Sequence, residues 1–217
     1  DMDVDYTFGQ VDVNAPIVGK TMNCGNISSA VGPFAVDEGL VAAVEPMTEV
    51  HIFNTNTGKE IIAQVPVRDG RAVTEGDFAI DGVPGTAAKV TLKFVAPQGA
   101  ASGKLLPTGH AKDTIEIEGK TYEYSFIDAA NPVMFVHPED FGVKGTEIPS
   151  EFHALPNCKE ICRILEIIRG TGAVMLGFAK DLEAARVNSQ TLPKLAFITK
   201  PTAYTAGSGK EIGSGDV

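Results

Sequence analysis

Tryptophan is absent from the 217-residue sequence, and cysteine occurs only three times. An odd and unevenly spaced set of thiols cannot be the framework of a disulfide-stapled secreted scaffold, and it points instead to a reducing, cytoplasmic setting. Long apolar runs are also missing. No stretch approaches the roughly 18 residues a membrane span needs, and the N-terminus lacks the basic-then-apolar order of a signal peptide. The sequon Asn26-Ile27-Ser28 is therefore read as chance. Positive charge is scarce: 18 Lys plus Arg stand against 28 Asp plus Glu, for a net charge of −10 and a pI near 4.8. With no local basic patch, such a field repels phosphate backbones and anionic lipid, which argues against nucleic acid and membrane surfaces as partners. The sequence opens at Asp1, without a methionine, and runs directly into strand-like residues, as a fragment or a processed chain would.

What is present is enough for one large domain or two of ordinary size. Most of it alternates apolar and polar residues at period two, with breaks at Gly, Asn and Asp, the pattern of short strands joined by tight turns. Val4, Tyr6 and Phe8 share one face, and the alternation resumes out of phase at Val11 and Val13, which predicts a bulge at Gly9. Hairpins are predicted at Asn56-Thr57-Gly58, at Asp69-Gly70 and near Gly119, because Asn-Gly and Asp-Gly type pairs suit the left-handed turn positions of two-residue loops. This pattern favours antiparallel pairing.

Two helical stretches interrupt the strands. In the first, Ile27, Val31, Phe34 and Ala35 fall on one face, and the pattern runs to Leu40 before Pro46 stops it. Being apolar on most sides, this helix is expected to be enclosed by strands. The second spans 157–187, with an interruption expected near Gly170 to Gly172, Asn157 as its cap and Glu160 at the capping-box position. Between the halves, at 96–109, Gly, Ala, Pro and Ser displace the strand pattern. The expected division is 1–105 and 106–217, and the fold class is α+β, built from two similar modules.

Cys24 is the first candidate for chemistry. The initial N–H groups of a helix lack intrahelical partners and the helix dipole favours negative charge there, so this position suits both a thiolate and a bound carboxylate. A buried structural thiol is the competing reading. Cys158 and Cys162 lie four apart on a helix face and are explained by core packing; with His153 they match no standard zinc spacing, so no metal site is assigned. His51, His110 and His137 are scattered singly. Three glycine-rich stretches are decoys. "VGKT" at 18–21 has Asn14 where a phosphate loop needs glycine, "GTGAVM" at 170–175 has Met175 where a dinucleotide fingerprint needs glycine, and the tail "GSGKEIG" ends on the wrong spacing. "LLPTGH" at 105–110 and "IDAANPVMFVHPEDFG" at 127–142 each set small polar groups at a strand edge. The Asn131 amide either faces a cavity or belongs to ordinary turn chemistry.

Taken in order, "NCGNISSAVGPFAVDEGLV", "LLPTG" and "DAANPVMFVHPEDFG" resemble the PrpF family, a branch of the diaminopimelate-epimerase-like superfamily. "DVDYTFGQV", "AVEPMTEVHIFNTNTGK" and "IDGVPGT" are most similar to the branch that isomerises 3-methylitaconate. The resemblance implies two pseudo-symmetric, β-barrel-like modules, each around a central helix, with the active site in the cleft between them. It implies that Cys24 is catalytic, that Asn23, Gly25 and Asn26 form the substrate-binding wall of the first module, and that Thr108, Gly109 and Asn131 bind substrate from the second. The family also has an N-terminal "TSK" motif, whose lysine is an acid/base candidate, and a second glycine-rich helix start near its C-terminus. Neither occurs here, so the chain is expected to be a central part with both modules incomplete. The implied reaction is a 1,3-proton shift without metal or cofactor, carrying 3-methylitaconate to 2,3-dimethylmaleate. The alternatives are 2-methylaconitate or 4-oxalomesaconate as substrate, or a binding fragment without turnover. Small di- or tricarboxylates are the expected partners, and a homo-oligomer is left open.

Overall fold

The computed structural model describes residues 2–13 and 15–215. Asn14, which stands where a phosphate loop needs glycine, and Asp1, at which the sequence opens, lie outside the described residues. The chain divides into two compact units, Asp1–Ala100 and Ala101–Val217.

In the first unit, β4 (Met47–Asn54) and β5 (Lys59–Arg68) form a long antiparallel hairpin, with Asn54 opposite Lys59. The short β6 (Arg71–Ala72) and β7 (Thr91–Phe94) extend β5 antiparallel, while β1 (Val4–Tyr6) adds to β4 in parallel. Strict alternation along β4 turns Thr48, Val50, Ile52 and Asn54 inward, and β5 answers with Ile61, Ala63, Val65 and Val67. Both the hairpin at Gly58 and the Asp69-Gly70 turn form as predicted. At the latter, Asp69 and Gly70 adopt φ of 53° and 72° while Arg68 pairs with Arg71.

No bulged strand runs through Gly9. β1 ends at Tyr6, and β2 (Gln10–Val11) pairs instead with β3 (Val18–Gly19) in a separate two-stranded ribbon. Gly9 is where the backbone crowds this ribbon, since a Cβ there would sit 3.0 Å from Val18 Cγ1. The loop that could have carried the alternation onward is thus diverted, and Val13 is left almost fully exposed.

Helix α1 (Gly25–Asp37) packs against β4, β5 and β6 through a face that keeps Ala35 and the half-buried Val31 of the predicted one but turns Ile27 and Phe34 away. Its buried residues are Ser28, Gly32, Ala35 and Val36. Ile27 and Phe34 point outward at 53% and 60% exposure, so the described residues do not enclose the helix. Small side chains prevail because the helix lies close to the sheet: a Cβ on Gly32 would meet Ala63 Cβ at 2.7 Å and Val65 Cγ2 at 2.8 Å. α1 also stops well before Pro46, where Gly39 turns left-handed at φ 68° and the Leu40 and Val41 N–H groups return to Ala35 O.

In the second unit, β8 (Asp113–Ile117), β9 (Lys120–Ala129) and β10 (Asn131–Val136) form an antiparallel meander, to which β11 (Lys194–Phe197) adds in parallel beside β10. The turn near Gly119 is again left-handed at both residues, with φ of 54° at Glu118 and 80° at Gly119. After a 3-10 turn (Pro138–Phe141) come α2 (Pro149–His153), α3 (Cys158–Met175) and α4 (Leu182–Asn188). Tyr122, Tyr124, Phe126, Met134 and Val136 from the sheet meet Ile161, Ile164 and Ile168 from α3 in the core. Two further short strands, β12 (Tyr204–Thr205) and β13 (Glu211–Ile212), pair with each other.

α3 runs unbroken through Gly170 and Gly172. These glycines provide closeness: a Cβ on Gly172 would fall 2.5 Å from Met134 Sδ and 2.9 Å from Pro193 Cγ. The break comes after Met175, with α4 restarting behind Asp181, whose carboxylate accepts the Ala184 N–H. At the start of α3, Asn157 occupies the cap position without a side-chain bond, and Glu160 pairs with Arg163 in place of a capping box. Arg169, only 8% exposed, ties α3 to α4 and to the turn before β11. Its guanidinium holds Glu166 through two nitrogens and donates to the carbonyls of Ala185, Ser189 and Leu192.

Candidate functional site

In the first unit the sequence-predicted wall converges on the N-terminus of α1. Cys24 is the cap residue, extended at φ −119° and ψ 110°, and its side chain makes no capping hydrogen bond. Behind it, Gly25 and Asn26 begin the helix in exposed positions, and no acidic residue occupies the first turn. The half-buried thiol thus stands at the partnerless end of the helix. Gly25 leaves this surface open, since its added Cβ would come no nearer than 4.0 Å to Phe94 Cζ.

A buried polar chain holds Cys24 in place. Ser28, fully buried one turn on, donates through Oγ to Cys24 O at 2.8 Å and to Asn23 Oδ1 at 3.2 Å. Asn23 Oδ1 also accepts from Asn54 Nδ2 at 3.0 Å, and Asn54 Oδ1 in turn accepts the N–H and hydroxyl of Thr57 at 3.0 and 2.9 Å. The hairpin turn at 54–59 is thus coupled to the start of α1. Tyr6 closes the underside. Burial pushes its phenol above the ordinary range and the Cys24 side chain adds to this, while Ser28 acts in the opposite sense. The Tyr6 hydroxyl is nonetheless buried without a hydrogen bond of good geometry. Ser28, Asn54 and Tyr6 escaped the sequence reading. Asn54 had a visible signal, a polar residue closing the inward row Thr48, Val50, Ile52.

In the second unit a matching device ties together the two motifs read as odd turns. Asp128 ends the inward row Tyr122, Tyr124, Phe126 of β9 and is fully buried. Its Oδ2 accepts the N–H groups of Ala101 and Ser102 at 2.9 and 2.6 Å and the Ser102 hydroxyl at 2.8 Å, while its own N–H reaches Leu105 O at 2.8 Å. "LLPTG" is in this way anchored at the end of β9. Thr108 donates to Asp113 Oδ2 at 2.5 Å, and Gly109 is left-handed at φ 86° with its N–H on Leu106 O, so both take part in a closed turn. Asn131 opens β10 beside the single-residue turn at Ala130, with Pro132 buried behind it. Asp128 was missed because a carboxylate in "IDAAN" reads locally as turn chemistry.

The remaining candidates lie elsewhere. Each of His51, His110 and His137 pairs with a carboxylate, of Glu60, Asp113 and Glu123 respectively. Cys158 is buried as core packing requires, whereas Cys162 on the same helix is exposed. Among the described residues, no three His, Cys, Asp or Glu side chains are grouped to hold a metal ion, and no helix is long and apolar enough to cross a membrane.

A family model described as "PrpF protein" matches residues 1–217. The chain is 45% identical over 216 residues to the 3-methylitaconate isomerase of Eubacterium barkeri, covering 100% of this chain and 56% of that protein. It is 37% identical over 223 residues to a 2-methyl-aconitate isomerase of Shewanella oneidensis, covering 99% and 55%. The crystal structure of methylitaconate-delta-isomerase superposes with a TM-score of 0.82 at 45% identity, over 100% of this chain and 56% of that one. The chain thus spans about half the length of the curated relatives it matches, and shares the α+β fold of that crystal structure over that length.

Proposed function

The chain belongs to the PrpF family, and from that premise we propose that it carries the Cys24 wall of an isomerase that moves a carbon–carbon double bond in 3-methylitaconate to give 2,3-dimethylmaleate. The observation that carries this reading is the 45% identity with the 3-methylitaconate isomerase along the whole chain.

In this reaction a proton leaves the methyl-bearing carbon between the alkene and one carboxylate, and another is delivered to the terminal methylene two carbons away. The barrier lies in the extended enolate formed between the two steps, so the site needs a proton-transfer group and donors for the developing charge. Cys24 is that group, either accepting the first proton as thiolate or delivering the second as thiol. The N–H groups of Gly25 and Asn26, at an uncapped helix end without acidic neighbours, suit a substrate carboxylate or the enolate oxygen. Asn23 positions the thiol by locking the cap residue to Asn54 and Ser28. Thr108, Gly109 and Asn131 retain the substrate-binding role that the family motifs give them. No step in this scheme calls for a metal or an organic cofactor.

Proton NMR in D2O, with 3-methylitaconate, 2,3-dimethylmaleate and 2-methylaconitate supplied separately, tests the proposal. The expected result is deuterium in the new methyl group of dimethylmaleate, abolished by Cys24→Ser. Exchange confined to 2-methylaconitate would transfer the assignment to the tricarboxylate, and undiminished exchange in the Cys24→Ser protein would remove the thiol from the mechanism.

A further inference from the structure

In the second unit, a cavity of about 770 Å³ runs beside α3 and α4 and is lined by His153, Cys158, Cys162, Arg163, Ile167 and Leu182 among others. Two of its walls are thiols. Cys158 Sγ lies 4.0 Å from Cys162 Sγ and 3.9 Å from His153 Nδ1, and neither cysteine is in a disulfide. Three complementary groups thus meet at one opening: a thiol within reach of an imidazole, a second exposed thiol, and a space that admits a small oxidant to the otherwise buried Cys158.

We propose that Cys158 and Cys162 are a redox pair which a hydroperoxide converts to a disulfide, with His153 taking the proton of Cys158. In the first step the Cys158 sulfur forms a bond to the nearer peroxide oxygen as the O–O bond breaks. His153 passes the proton to the departing oxygen, leaving a sulfenic acid and one molecule of water or alcohol. In the second step the Cys162 sulfur attacks Cys158, the S–S bond forms, and the hydroxyl leaves with the Cys162 proton as water. Two thiols lose two electrons and two hydrogens, and the hydroperoxide gains them. The order of attack follows from the surroundings. The imidazole that takes the proton stands beside Cys158 Sγ, so Cys158 acts first, and burial together with the neighbouring Cys158 raises the Cys162 thiol, in keeping with its acting second.

Closure requires movement at one defined place. The sulfurs must approach from 4.0 Å to about 2.05 Å, and Cβ atoms four apart on a helix are about 5–6 Å apart where a disulfide spans ~3.5–4.5 Å. Cys158 is the first residue of α3, and its N–H is bonded outside the helix, to Leu155 O. The first turn is therefore the part that yields, and the bridge is expected to loosen the start of α3 while leaving its glycine-rich, buried end intact.

The test treats the chain with hydrogen peroxide and follows intact mass and free thiols. The expected result is loss of two of the three thiols and a mass lower by about 2 Da, with a peptide joining Cys158 to Cys162 and full reversal by dithiothreitol. His153→Gln is expected to slow bridge formation by about tenfold or more. Cys162→Ser is expected to leave a sulfenic acid at Cys158 that dimedone captures. Loss of Cys24 ahead of the pair, bridges only between chains, or stepwise oxygen addition with no mass decrease would each overturn the proposal. Should either variant fail to fold, the mass and linkage of the unaltered chain decide it alone.

Discussion

Cys24 and the polar chain behind it separate chemistry from support. Cys24→Ser keeps the backbone bonds made to Cys24 O, so it is expected to abolish proton exchange with a melting temperature close to that of the parent, measured by NMR and thermal circular dichroism on the same samples. Asn54→Ala removes one of the donors to buried Asn23 Oδ1 and the acceptor of two part-buried donors of Thr57; a loss of about 1–3 kcal/mol is expected in urea denaturation, together with weaker exchange as the cap residue loosens. Tyr6→Phe should behave differently. It removes a buried hydroxyl without a well-formed partner, and so is expected to be neutral or to stabilise by up to about 1 kcal/mol. Its raised phenol pKa keeps the neutral form in the folded state. The corresponding stability is present below the ordinary tyrosine value and is lost as the pH rises through the folded one, so the phenylalanine variant should resist alkaline unfolding better than the parent.

At the scale of elements, both principal helices are seated by glycine. A Gly→Ala change inside a helix ordinarily stabilises by about 1 kcal/mol. At Gly32 and Gly172 the sign is expected to reverse, with losses of about 1–3 kcal/mol, because the new methyl would be driven into Ala63 and Val65 or into Met134 and Pro193. Parallel urea titrations of the two variants check this, and stabilisation of either would show that its helix can lift from the sheet. The hairpins were legible because their turn residues announce a backbone conformation directly. Asp69-Gly70 and Glu118-Gly119 occupy the left-handed positions that two-residue loops demand. The buried face of α1 was not legible. Period alone favoured Ile27 and Phe34 along with Ala35, and only the distance between helix and sheet made Ser28 and Gly32 the residues that join Ala35 on the inward side.

For the whole chain, the acidic balance has a consequence at low pH. Glu49, Glu123 and Glu160 are held below the ordinary carboxylate range, chiefly by hydrogen bonds from Gln64, Lys112 and Arg163, and Glu147 by the backbone N–H of Lys144. A lowered folded value means that the stability these groups contribute is present above the unfolded value and is lost as the pH falls through the folded one. Thermal melts should therefore decline below the ordinary glutamate range. The decline should flatten in high salt, since Glu49 and Glu160 are exposed and Glu123 and Glu147 only half-buried, so that salt screens all four; salt-independent acid unfolding would place the cause in the buried carboxylates instead.

From the sequence by itself came the α+β class, the three hairpins, the helix start at Cys24 and the likeness to the PrpF family. Each rests on local rules, of turn conformation, period and cap position, or on the order of long motifs. The tertiary structure alone decided that Gly9 diverts rather than bulges a strand, that α1 buries its small side, and that α3 passes through two glycines. It also showed that Asn54 and Asp128, polar residues closing apolar rows, each anchor a loop within their own unit, the start of α1 in one and the 101–105 segment in the other. Those outcomes depend on which surfaces meet and how closely, and on where a buried oxygen finds its donors, which are properties of pairs of segments far apart in the chain.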